Sequence, residues 1–238
     1  MGLLAFAIAP GLAICIFIYY KDKYNKEPVW MLLLAFIMGV LSILPAVIIQ
    51  LAWGSDIGKI QQQGVLSVAF FSFCIVALSE EGSKFMMLRL FIYPRKHFDD
   101  PFDGIVYAVM VGMGFATIEN IAYVYEHGLG TGILRMFLSV PAHGTFAVLM
   151  GYFVGLAKFK NTGKTVYFLM AVLLPVLFHG SFDFFIFVAN GGLIALGAIV
   201  SFILGLYLSF KAISRKQQIA KVFYEEKMQA INEDIPSL

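Results

Sequence analysis

The chain has 238 residues, 60% hydrophobic and 13% charged, with a formal net charge of +2. Soluble domains run nearer about 45–50% apolar and about 25% charged, and the apolar residues here gather in blocks of the roughly 20 residues needed to span hydrocarbon. These values exclude a soluble enzyme, and the blocks do not alternate in polarity as barrel strands do. So small a charge gives no reason to expect nucleic acid as a partner. The expected surrounding is the lipid bilayer, and the expected fold class is all-α: a polytopic transmembrane helical bundle of about seven spans, with six to eight allowed.

Taken in order, the predicted spans are Leu3–Tyr20, Val29–Leu51, Val65–Leu90, Gly104–Tyr125, Ile133–Ala157, Thr165–Val188 and Gly192–Phe210. The segment Met1-Gly2-Leu3-Leu4-Ala5 lacks a basic region and a small-residue cleavage site, so it reads as the start of a retained first span. Cys15 and Cys74 both fall in apolar runs and suggest neither a disulfide framework nor a Cys-based metal site. The last two spans are separated by a short stretch around Asn190-Gly191 that suits a tight helical hairpin. One membrane domain (1–210) is expected, followed by a charged tail (211–238). That tail can form an amphipathic helix with Ile219, Val222, Phe223 and Ala230 on one face.

Lys and Arg placement sets the expected orientation. Lys21, Lys23 and Lys26 follow span 1, Arg89, Arg95 and Lys96 lie around the end of span 3, and Lys158, Lys160 and Lys164 follow span 5. The tail adds Lys211, Arg215, Lys216, Lys221 and Lys227. Only Lys59 and Arg135 fall on the opposite side. This predicts the N-terminus outside and the C-terminus in the cytoplasm.

Ionisable side chains at bilayer depth cost at least about 2.5–3.5 kcal/mol each on insertion scales, so those that occur are usually functional. Span 3 carries three in the stretch Ser79-Glu80-Glu81-Gly82-Ser83-Lys84. Glu80 and Glu81 stand four and three residues before Lys84, on a shared helix face. The lysine can therefore neutralise one carboxylate while the other stays available as a general base or acid. Glu119, beside Asn120, lies in span 4, and His143, between Pro141-Ala142 and Gly144, lies in span 5. His179 and Asp183 in span 6 are again four apart, so the Asp can fix the imidazole tautomer. At about 1.5 Å per residue, Glu119, His143 and His179 fall roughly 9–15 Å below the outer boundary, whereas Glu80 falls at roughly 22 Å.

The motifs Glu80-Glu81-x-x-Lys84, Phe115-x-x-x-Glu119 and His179-x-x-x-Asp183 resemble the set that marks the PrsW family. The segments Asp100-Pro101-Phe102-Asp103-Gly104 and Gly114-Phe115-Ala116-Thr117-Ile118-Glu119-Asn120 also look like that family. The resemblance runs from about Glu27 to Val188. It implies a bacterial intramembrane endopeptidase, related to the CAAX prenyl protease and abortive-infection group, in the plasma membrane. Its implied substrate is a membrane-anchored protein, a single-span anti-sigma factor, cut first during envelope stress. Glu80 and Glu81 match the family's catalytic pair, and His179 matches its catalytic histidine.

No serine or cysteine at membrane depth has a matched base, so a water nucleophile fits best. Catalytic roles are expected for Glu80, Glu81, Glu119, His143 and His179, with Lys84, Asp183, Asn120 and Phe115 in support. Two mechanisms stay open: a Glu-activated water with no cofactor, or metal-assisted hydrolysis with zinc held by Glu81, Glu119, His143 and His179. The spacing signal of an HExxH helix is absent. The same buried charges also suit a proton-coupled transporter.

Overall fold

The computed structural model describes residues 2–54, 56–188 and 193–233, all helix and connecting loop. The stretch around Asn190-Gly191, read from sequence as a tight hairpin, lies outside the described residues. Seven helical stretches are long and apolar enough to cross a membrane, as expected.

Helix α1 (Gly2–Lys21) is followed by α2 (Val29–Leu41) and α3 (Ile43–Trp53), which together make the second crossing. The break at Ser42 has a local cause. Pro45 has no N–H to bond the Leu41 carbonyl, and its ring crowds that oxygen; the Ser42 hydroxyl instead donates to the Gly39 carbonyl at 2.6 Å.

A short α4 (Ile57–Gln62), N-capped by Asp56, leads into the third crossing. That crossing consists of α5 (Val65–Phe70), a π-helical stretch (Phe71–Ala77), α6 (Leu78–Met87) and a second π-helical stretch (Leu88–Ile92). π-helical turns recur at functional sites, and here two of them flank the one strongly polar helix of the membrane region. Helix α6 buries Ser79, Glu80, Glu81, Ser83 and Lys84 and turns Leu78 and Met86 outward.

Helix α7 (Asp103–Phe137) is the central element, buried between α1, α2 and α8 (Ser139–Phe159). Its contact with α2 depends on Gly39 and Gly114: a Cβ on either would run into a backbone carbonyl, of Val111 or Phe36 respectively. Close backbone approach through small residues is the usual way membrane helices gain packing contact. Two helices complete the bundle, α9 (Lys164–Val188) and α10 (Leu196–Glu233).

Three boundaries differ from expectation. The fourth crossing does not stop at Tyr125. It runs three residues further, to a kink at Gly128, whose φ of 80° and ψ of −169° turn the chain back, and a returning helical stretch (129–137) follows. The fifth helix accordingly begins at Ser139 rather than Ile133. Helix α10 passes the expected boundary at residue 210 without a break. Ile213, Lys216 and Ala220 are buried while Ile219 and Val222 are exposed, and the Gln217 amide donates to the Lys21 carbonyl.

Candidate active site

Helix α6 presents Glu80, Glu81 and Lys84 inward. Lys84 Nζ lies 2.7 Å from Glu81 Oε1 and 3.5 Å from Glu80 Oε2, and it sits 4.0 Å above the Phe115 ring of α7. His179, from α9, places Nδ1 at 2.9 Å from Glu81 Oε1 and Nε2 at 3.3 Å from Asp183 Oδ2. His143, from α8, has Nδ1 at 3.2 Å from Lys84 Nζ and Nε2 at 3.0 Å from Glu119 Oε2. The lysine ammonium can only donate, so His143 accepts at Nδ1 and carries its proton on Nε2, directed at Glu119.

These contacts bring Glu80, Glu81, Lys84, Phe115, Glu119, His143, His179 and Asp183 into one cluster and close the depth mismatch of Glu80. Two features of the chain explain the closure. The descent towards His143 starts at the Gly128 turn, earlier than the sequence indicated, so His143 sits deeper. A π-helical stretch precedes Glu80, and its wider turns advance less along the axis per residue. Asn120 is buried further along α7, where its amide donates to the Ala7 carbonyl at 3.1 Å.

Two residues that sequence reasoning missed belong to the cluster. Arg135 reads as a cation at the outer end of span 5, yet the turn at Gly128 brings it back along α7. There Nη2 donates to Glu119 Oε2 at 2.6 Å and Nε to Asn120 Oδ1 at 3.1 Å. Gln50 of α3 reaches Glu80 Oε1 at 3.3 Å. A lone amide in the run Val47-Ile48-Ile49-Gln50-Leu51 was a visible signal; Arg135 gave none without the turn.

Four buried donors, one each from Glu80, Glu81, His143 and His179, lie within 4.8 Å of one another. Glu119 stands outside this group, held by Arg135 against the outer nitrogen of His143. Each histidine is thus backed by a carboxylate, Glu119 or Asp183, in the pattern that orients metal-binding imidazoles. Four carboxylates meet two fixed cations, Lys84 and Arg135, and His179, whose two ring nitrogens both face carboxylate oxygens, so negative charge is in excess. Glu80 Oε2 and Glu81 Oε2 are buried without a hydrogen-bond partner. Unsatisfied acceptors and surplus charge at this depth are costly, and a divalent cation would answer both. The donor set fits such an ion, with the ammonium of Lys84 set among the same atoms.

The cluster forms part of the wall of a cavity of about 540 Å³ lined by Gln50, Glu80, Glu119, His143, His179 and Asp183 on its polar side. Tyr123, Thr131, Arg135 and Ser139 add to the polar side, and apolar residues such as Val47, Phe146, Phe182 and Ile186 form the remainder. Glu81 does not reach the cavity. Ser79 and Ser83 bond backbone carbonyls at 3.0 and 2.5 Å, so neither hydroxyl is poised as a nucleophile.

Comparison with known proteins agrees with this geometry. Residues 27–212 match the family described as PrsW family intramembrane metalloprotease. Protease PrsW of Bacillus subtilis is 36% identical over 185 residues, covering 77% of this chain and 82% of the relative. Its counterpart in Geobacillus kaustophilus is 38% identical over 183 residues, covering 76% and 78%. That of Clostridioides difficile is 35% identical over 195 residues, covering 79% and 80%. No solved structure matches the chain. The transporter reading is set aside: with its seven apolar crossings, this chain belongs to the PrsW family of intramembrane proteases.

Proposed function

We propose that the chain is an intramembrane endopeptidase of the bacterial plasma membrane that hydrolyses a peptide bond in a membrane-anchored protein. The observation that carries this reading is the convergence of Glu80, Glu81, His143 and His179 at the wall of a cavity inside the spans. The substrate implied by the family resemblance is a single-span anti-sigma factor, and the basic end of the bundle is read as cytoplasmic.

The two adjacent glutamates have different tasks. Glu81 is held by Lys84 and His179 at 2.7 and 2.9 Å and is turned away from the cavity. Glu80 faces the cavity with looser partners, Gln50 at 3.3 Å and Lys84 at 3.5 Å. Glu80 is therefore the carboxylate free to take a proton from a water entering the cavity, as a general base. His143, carrying its proton on Nε2 against Glu119, and His179, fixed by Asp183, line the same wall and are placed to hold the scissile carbonyl or pass a proton to the leaving amine. Glu81, His143 and His179 would hold a zinc-like ion, which when bound supplies Lewis-acid polarisation of water and carbonyl. Lys84 favours a second version, because its ammonium already stands between Glu81 and His143; there Glu80 activates water with no ion.

Purified protein in proteoliposomes with a single-span substrate tests both levels. Glu81→Gln and His179→Ala are expected to abolish cleavage while expression and folding persist; undiminished cleavage by both variants rejects the site. A chelator that stops cleavage, with recovery on adding one metal ion, establishes the metal version. Full activity after exhaustive chelation leaves the Glu-only version.

A further inference from the structure

The motif Asp100-Pro101-Phe102-Asp103-Gly104 takes no part in the proteolytic site. It lies at the other end of α7 from the Gly128 turn, at the basic end of the bundle, about 24 Å along the helix from Glu119 at 1.5 Å per residue. There it meets the loop between α1 and α2. One oxygen each from Glu27, Asp99 and Asp103 lie within 4.8 Å of one another.

Asp103 is fully buried, at 0% exposure. Its Oδ2 accepts from the backbone N–H groups of Asp99 at 2.8 Å and Asp100 at 2.6 Å. Its Oδ1 is buried with no hydrogen-bond partner. Glu27 is also buried, and the Tyr107 hydroxyl, between Glu27 Oε2 and the His97 carbonyl, is directed at it. Asp99 is exposed and accepts from the Asn25 amide at 2.9 Å, which gives the group an open side. Among the described residues no Lys or Arg comes within ion-pair distance of any of the three; the nearby Lys158 is committed to the Tyr93 carbonyl at 2.8 Å.

Carboxylates gathered in this way, with one buried oxygen unpartnered, require a cation to remain charged together. We propose that Glu27, Asp99 and Asp103 form a second, structural site for a hard divalent cation such as Mg²⁺, Ca²⁺ or Mn²⁺. All-oxygen donors of this kind select hard ions, with water completing the coordination on the open side. The ion clamps the loop after α1 to the loop before α7 and so fixes one end of the helix that carries Phe115 and Glu119. This site stands independently of the proteolytic mechanism.

The test is Mn²⁺ binding to the full-length detergent-purified protein, followed by loss of the free-ion paramagnetic resonance signal. A His179→Ala background removes one of the four intramembrane donors, and comparing the variants below within that background isolates the loop site. Saturable binding is expected, weakened about tenfold or more in Glu27→Gln and Asp103→Asn and by a smaller factor in Asp99→Asn. Asp99 is exposed, so the last variant folds even if the buried substitutions do not. Absence of saturable binding below millimolar Mn²⁺, or binding unchanged in Asp99→Asn and Glu27→Gln, overturns the proposal.

Discussion

Glu80 and Glu81 are neighbours in sequence, yet their surroundings differ: Glu81 is held by Lys84 and His179, while Glu80 faces the cavity with looser partners. Their visibility in sequence came from contrast: charge within a run of Phe, Val, Met and Leu has few structural explanations. Arg135 was invisible for the opposite reason, since a lone arginine at the outer end of a predicted span is ordinary. Its guanidinium holds Glu119 at 2.6 Å, and Glu119 in turn holds His143 at 3.0 Å. Arg135→Ala is therefore expected to lower the cleavage rate by about 10–100-fold, the usual cost of losing an outer partner of a site histidine, with part recovered in Arg135→Lys. Steady-state cleavage of a single-span substrate measures both, and equal activity of Arg135→Ala and wild type rejects this role. Outside the membrane, Asp22 allows a pH prediction. Burial, with the negative Asp100 and Glu27 nearby and Lys26 opposing, pushes its carboxyl from 3.8 up to about 7. A raised carboxyl contributes stability that is full below its unfolded value and lost as pH rises through about 7. In chelator, Tm is expected to fall between pH 5 and 8, and the slope to be shallower in Asp22→Asn. Identical slopes contradict the assignment.

At the scale of elements, α7 decides the geometry. The polar, Gly-rich stretch around Gly128 marked a break between spans 4 and 5 but read as a simple loop rather than as a tight turn with a returning helix. What the hydropathy pattern lacked was the backbone: φ 80° with ψ −169° is a conformation that glycine alone adopts readily. Helix α6 shows the converse. Its inward polar face was legible from residue spacing, but the π-helical stretches beside it leave no signature in composition. Gly128→Ala is expected to cost about 1–3 kcal/mol in strain and to misplace Arg135, lowering both Tm and cleavage rate. A variant with wild-type Tm and turnover shows that the turn tolerates a side chain and does not set the site.

On the scale of the whole molecule, the class of fold followed directly from composition: blocks of the right length and too few charges for a soluble surface. The second to sixth of the seven crossings line a cavity of about 540 Å³ whose polar wall holds His143, His179 and Glu80. The convergence of α6, α8 and α9 was beyond sequence alone, because it depends on helix depth and rotation rather than on any residue's identity. The most direct measurement is turnover by Glu80→Gln in proteoliposomes, alongside wild type, with the fold checked by thermal melting. A folded variant with cleavage reduced by about 10²–10⁴-fold, the usual contribution of a general base, is predicted; a folded Glu80→Gln that cleaves as fast as wild type contradicts the account.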